Sequence, residues 1–141
     1  MPTEFEKHCE TIEECYEFTL SYAGRGLAGD EGGDAGKDLR EHLTRAVKAM
    51  RGLERSCAEG VKQEQLAPAG KYEAFFAVLA RDAQSAIAAM ELVLAQPAIG
   101  SQLIDNLNAS IHLRALLADL FLVVEIFEAR QRQTKAANET A

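Results

Sequence analysis

The sequence is poor in the residues that interrupt helices or cross-link small folds. Its 141 residues include three prolines, three cysteines and no tryptophan. So few prolines leave long segments in which a helix can run without a break. The cysteines are odd in number and lack framework spacing, which argues against a disulfide scaffold. We therefore expect Cys9, Cys15 and Cys57 to be small apolar core residues in a reducing compartment.

Clustered positive charge and long apolar runs are also missing. The formal net charge is −7, which disfavours nucleic acid as a partner because phosphate binding depends on clustered Lys and Arg. The longest apolar stretch, 113–127, contains Arg114, Asp119 and Glu125 and falls short of a bilayer span. The N-terminus lacks the basic and apolar regions of a signal peptide. These features predict a cytoplasmic protein that binds neither nucleic acid nor a membrane.

Apolar residues recur at helical spacing in four segments, and no run alternates for long enough to require a strand. The short to moderate connections favour an all-α fold, an antiparallel up-and-down four-helix bundle. In this prediction residues 1–133 form one domain, and residues 134–141 form a polar, disordered tail. The predicted helices cover residues 3–23, 37–59, 71–95 and 101–131, with a flexible glycine-rich loop at 24–36.

The first two predicted helices have outer faces of opposite charge. Each helix buries one apolar stripe, and its charged residues gather on the other side. Such charge runs are usually solvated faces. The functional interpretation is a docking surface for a partner of opposite charge, or for the same chain across a symmetry axis. The residues concerned are Glu6, Glu10, Glu13 and Glu17 in the first helix and Arg40, Lys48, Arg51 and Arg55 in the second.

The fourth predicted helix carries more apolar surface than one buried stripe requires. A broad arc of leucines, valines and phenylalanines covers one side, while Ala115, Leu122 and Ile126 fall roughly opposite. These three residues predict a homodimer with the fourth helix at the interface, since cyclic dimers dominate soluble oligomers. The alternative is that they are scattered exposed apolar residues, which are common. Asn, Asp and Ser weaken the helix between 105 and 110, where the sequence allows a kink or break.

The glycine-rich loop contains two patterns that resemble ligand-binding motifs. Gly24-x-Gly26-x-x-Gly29 spells the dinucleotide fingerprint, but a helix precedes it and acidic residues follow, whereas the fingerprint requires a strand before the loop. The stretch 30–41 has the length and acidic ends of a calcium loop. It lacks an oxygen donor at Gly32 and a glycine at Ala35, where the loop turns sharply. Both patterns therefore predict only an interhelical loop.

Candidate metal ligands and nucleophiles are scattered. No Glu-x-x-His pair of the di-iron bundles occurs, and His8, His42 and His112 fall on three different predicted helices. Nothing specific favours haem binding through His112 or Met90. We predict no cofactor, no metal site and no catalytic residues, with the proviso that a catalytic triad can assemble from residues far apart in sequence.

The leading functional hypothesis is a non-enzymatic interaction protein, an adaptor, regulator or small chaperone that forms a homodimer and binds another protein. It depends on the surplus apolar surface of the fourth helix, the segregated charges and the lack of recognisable chemistry. The alternative is a helical bundle that binds a small molecule, a metal or haem in a pocket between helices. The residues proposed to line that pocket are Tyr16, Tyr72, Phe75, Phe76 and His112.

Overall fold

The computed structural model describes residues 3–31 and 33–140, without the side chain of residue 140. This part of the chain is all-α and contains no strand, which confirms the predicted fold class. It forms five helices, not the four predicted. They are α1 (Glu4–Ala23), α2 (Asp34–Gln63), α3 (Ala69–Leu94), α4 (Ser101–Ala109) and α5 (Ile111–Thr140).

A side-chain cap explains where the first helix begins. Thr3 Oγ1 accepts a hydrogen bond from the backbone N–H of Glu6 at 3.1 Å, as the capping pattern predicts. Helix α2 begins at Asp34, three residues before the predicted start, and Asp34 places an acidic side chain in its first turn. At the other end of the chain, α5 continues to Thr140 where a disordered tail was expected. The described side chains from 131 to 139 are all exposed.

Ser110 separates the two helices that replace the predicted fourth helix. Its backbone leaves the helical region with a ψ of 130°. The backbone N–H of Ser110 donates to the carbonyl of Leu107 and ends α4, while the carbonyl of Ser110 accepts from Arg114 and starts α5. Serine suits both roles because its hydroxyl also accepts from a free N–H, here that of His112 at 3.3 Å.

One hydrophobic core joins all the helices. Helix α1 packs on α2, α2 on α3, and α3 on α5, while α4 returns to α1. The twelve largest fully buried side chains come from every helix and from the loop residue Ile99. The three cysteines belong to this core, as the sequence predicts. Helices α4 and α5 thus share the place of the fourth helix, one packed against α1 and the other against α3.

The loop after α1 is anchored by a buried ion pair, although its composition predicts flexibility. Asp30, with 6% of its side chain exposed, pairs with Arg40 of α2. The other Asp30 oxygen accepts from the backbone N–H of Ile99 at 2.7 Å. The guanidinium of Arg40 also donates to the carbonyls of Leu94 and Gln96, at 3.1 and 3.0 Å. The side chains of Asp30 and Arg40 therefore join the loop after α1 to the loop after α3, at one end of the domain.

Further hydrogen bonds connect the same two loops. The Tyr22 hydroxyl donates to the carbonyl of Ile99 at 2.7 Å. Ser101 donates its hydroxyl to the carbonyl of Tyr22 and exchanges backbone and side-chain bonds with Leu27. Gly36 lets the backbone of Asp30 lie close to α2, because a Cβ at residue 36 would be only 2.1 Å from the carbonyl oxygen of Asp30.

Replacement of Arg40 with alanine should strongly destabilise the fold. It leaves the buried Asp30 carboxylate with a single backbone donor and should lower the free energy of unfolding by about 3 kcal/mol. The hydrogen bond from Arg40 holds the pKa of Asp30 below its usual value of 3.8. This carboxylate therefore contributes stability above the unfolded-state pKa, and the contribution is lost as the pH falls through the folded-state pKa.

Urea unfolding at pH 7 and pH 3 checks this prediction, and the gap between wild type and Arg40→Ala should narrow at pH 3. The matched control is Arg55→Ala, since Arg55 forms an exposed pair with Glu59 and should contribute less than about 0.5 kcal/mol. Equal losses in the two variants would contradict the role assigned to Asp30 and Arg40.

Candidate functional site

The outer face of α5 exposes large apolar side chains. Leu122 is 50% exposed, Ile126 38% and Ile111 75%, while Ala115 is half-buried. The side chains of the predicted interface are thus accessible to a partner. Scattered exposed apolar residues are ordinary in proteins, so the arrangement of these residues matters more than their exposure.

Phe121 of α5 is 52% exposed and lies outside the arc of the other exposed apolar residues, which form a stripe between Ile111 and Ala129. At 100° per residue they lie within an arc of about 80° and recur every three or four positions, the spacing of a helix-pairing seam. We call this set the outer stripe; it consists of Ile111, Ala115, Ala118, Leu122, Ile126 and Ala129. Three members, Ile111, Ala118 and Ala129, are not among the interface residues predicted from the sequence. Their spacing of three or four positions from the predicted residues could have identified them.

An apolar groove runs beside the outer stripe, between α3 and α5. Its volume is about 150 Å³, and Leu122, Val123 and Ile126 of α5 line it together with the start of α3. The α3 side supplies Lys71, Tyr72, Phe75 and Phe76. Three aromatic residues predicted to line a pocket therefore converge here. Tyr16 and His112 do not contribute to this groove.

Two aspartates face each other farther along the same pair of helices. Burial and the neighbouring carboxyl group of Asp82 on α3 raise the pKa of Asp119 on α5 to about 7. Asp119 Oδ2 is buried and has no hydrogen-bond donor in the described part of the chain. A proton on one of the two carboxyl groups turns the pair into a donor and an acceptor. A proton is therefore the simplest partner for these two aspartates.

The acidic residues of α1 line a groove towards α5. Glu6, Glu10 and Glu13 face Glu128 across a space of about 250 Å³, while Glu17 is exposed outside it. Burial, followed by the charges of Glu17, Glu10 and Glu128, raises the pKa of Glu13. Within the described residues, none of the carboxylates lining this groove forms an ion pair.

Most of the basic residues predicted as a docking face have partners inside the chain. Arg40 is held by Asp30, Arg51 pairs with Glu91 of α3 at 2.8 Å, and Arg55 pairs with Glu59 at 3.1 Å. Lys48 is exposed. The acidic and basic faces therefore do not meet within one chain, and their docking role stays a prediction.

A cleft of about 170 Å³ opens at the end of the domain where α1 starts and α2 ends. Phe5, Phe76 and Phe127 line it together with Cys57, and the rings of Phe5 and Phe127 meet edge to face at 5.8 Å. Its remaining lining includes Gly60 and several glutamates. No sequence pattern predicted this cleft, because its walls come from four different helices.

The candidate nucleophiles and metal ligands lie in surroundings that suit a structural role. Burial, reinforced at Cys9 and Cys57 by nearby glutamates, raises the pKa of each of the three thiols to about 12. His42 stacks on Phe18 at 4.4 Å. Both oxygens of Asp30, the first position of the rejected calcium pattern, already have protein donors; Gly32 lies outside the described residues.

Within residues 3–31 and 33–140, no three His, Cys, Asp or Glu side chains are grouped so that they could hold a metal ion. The same part of the chain has no helix with the length and apolarity needed to cross a membrane. Comparisons with protein-family models, curated proteins and solved structures find no match to this chain.

Asp119→Asn should stabilise the protein at alkaline pH. The folded-state pKa of Asp119 is about 7, above its usual value of 3.8. Its carboxyl group therefore favours folding at acid pH, and this contribution is lost as the pH rises through the folded-state value. The asparagine keeps a donor for Asp82 without a charge, and we expect the melting temperature at pH 8 to rise by about 3 °C.

Thermal unfolding monitored by circular dichroism at pH 8 and pH 5 measures the effect, and the advantage of the variant should shrink at pH 5. Asp105→Asn, on the exposed side of α4, is the matched control and should change the melting temperature little at either pH. A lower melting temperature for Asp119→Asn at pH 8 would contradict this account of the aspartate pair.

Proposed function

We propose that this chain is a non-enzymatic interaction protein that forms a homodimer through the outer stripe of α5. The observation that carries the proposal is the run of exposed and half-buried apolar side chains along one helix that already buries its opposite side in the core. A helix that buries one face needs no second apolar stripe for its own stability.

The outer stripe is complementary to itself in size. When two copies of α5 lie antiparallel about a twofold axis near residue 120, each large residue faces a small one. Leu122 then lies opposite Ala118 of the second copy, Ile111 opposite Ala129, and Ile126 opposite Ala115. Alternation of large and small side chains lets two helices interdigitate at close distance. A second copy of the chain is therefore the occupant that the stripe fits.

The charges beside the stripe are complementary in the same arrangement. Arg114 and Glu125 lie on one flank of α5, eleven residues apart and on either side of residue 120. In an antiparallel pair, Arg114 of each copy approaches Glu125 of the other. Arg114 makes no ion pair within the described chain, and Glu125 is paired only with exposed Arg132, at 3.2 Å. Such pairs at the edge of an interface favour the correct register.

Light scattering after size exclusion should give the mass of two 15.4 kDa chains for the wild-type protein. Leu122→Glu combined with Ile126→Glu should give one chain, because four carboxylates would meet across the twofold axis. The control is Leu20→Glu with Leu92→Glu, which alters two leucines on α1 and α3 that are at least as exposed as Leu122 and Ile126. A wild-type protein that stays monomeric at millimolar concentration would overturn the proposal.

Charge reversal tests the register independently of folding. Arg114→Glu should weaken the dimer about tenfold, since two pairs per dimer change from attraction to repulsion. Arg114→Glu with Glu125→Arg should restore it, because the exchange returns opposite charges to both pairs. Sedimentation equilibrium measures the dissociation constants. A double variant that is no tighter than Arg114→Glu would rule out the antiparallel register.

A further inference from the structure

The cleft and the acidic groove adjoin each other on the side of α5 away from the outer stripe. Glu6, Phe127 and Gln131 line both. Helix α1 packs closely on α2 and α4, but its backbone makes few close approaches to α5. The space between α1 and α5 therefore holds the acidic groove along the helices and the cleft at their end, and Phe127 lines both.

The cleft has the size to hold one apolar ring. A space of about 150 Å³ is large enough for a benzene molecule, and the cleft, which has polar as well as apolar lining, measures about 170 Å³. Its phenylalanines can offer ring edges and faces to an aromatic group. The hydroxyl of Ser56, also in the cleft wall, donates to the carbonyl of Leu53 at 3.0 Å. This donor is therefore already satisfied and needs no acceptor on a ligand.

The acidic groove suits a positive charge. The groove places Glu6, Glu10 and Glu13 of α1 against Glu128 of α5, and these carboxylates lack ion-pair partners within the described residues. Their mutual repulsion adds to burial in raising the pKa of Glu13. A bound cation would relieve that repulsion. Arg130 also lines the cleft, where its Nη2 donates to the carbonyl of Glu64 at 3.4 Å.

We propose that the cleft and the acidic groove form one binding site for a small cationic amphiphile, an amine that carries a ring-sized apolar body. The ring lies among Phe5, Phe76 and Phe127, and the ammonium group lies among the glutamates of α1 and Glu128. This site shares no residue with the outer stripe, so it does not depend on the proposed dimer.

Calorimetric titration of the full-length protein with phenylbutylamine tests the proposal, with phenylbutyrate and phenylbutanol as probes of the same body but different charge. We expect saturable binding of the amine, one molecule per chain, at least tenfold tighter than that of the alcohol and with no measurable binding of the carboxylate. Equal or tighter binding of phenylbutyrate would show that Arg130 controls the site, and would overturn the proposal.

A substitution that fills the cleft gives the most direct test of where the ring binds. Gly60 lies in α2 and lines the cleft, and a Cβ there meets no atom within 4 Å. Gly60→Leu should therefore fold normally and weaken amine binding at least tenfold by occupying the space of the ring. Gly70→Leu is the matched control, because Gly70 is also helical and has open space at its Cβ. Unchanged binding by Gly60→Leu would place the ring elsewhere and overturn the proposal.

A second variant removes charge without filling space. Glu10→Gln with Glu13→Gln should weaken binding of the amine about fivefold and leave that of phenylbutanol unchanged. Glu14→Gln with Glu41→Gln removes the same charge from exposed positions outside the cleft and the groove and should have a smaller effect. Equal weakening by both pairs would show that only the general acidity of the protein attracts the amine, which would overturn the proposed site.

Discussion

The ion pair between Asp30 and Arg40 is the interaction on which the arrangement of the helices most depends. It joins the loop after α1 to α2, and Arg40 extends the connection to the carbonyls that end α3. A buried charge is stable only with such partners, because desolvation of an unpaired carboxylate is costly. This end of the domain is therefore closed by polar contacts. The opposite end, where α1 starts, has no buried ion pair among the described residues and contains the cleft.

Helix α5 has different surroundings on each of its sides. One side is buried with Leu113, Leu116 and Leu120 in the core. The side towards α3 carries Asp119, whose carboxyl group is stable mainly when protonated or hydrogen-bonded. The side towards α1 faces glutamates instead of close backbone packing. The raised pKa values of Asp119 and Glu13 mean that an ionised carboxyl group at either position disfavours the folded state relative to the protonated one.

The two proposed surfaces use opposite sides of the same helix. The outer stripe faces solvent in one chain and forms the interface in the proposed dimer, while the cleft and acidic groove face α1. Because α5 is one continuous helix from Ile111 to Thr140, a change in its position on binding an amine would also move the outer stripe.

The sequence by itself determined the helices and their buried sides, because a helical period in residues such as Phe5, Cys9 and Ile12 reflects local geometry. It also indicated the weak stretch that ends at Ser110 and the surplus apolar surface at Leu122 and Ile126. Only the tertiary structure decided which helices are neighbours and how closely they approach. Arg40 reaches carbonyls more than fifty residues away, and Asp82 meets Asp119 from another helix. The periodicity of one helix cannot specify such partners, since it shows which side is buried but not what lies against it.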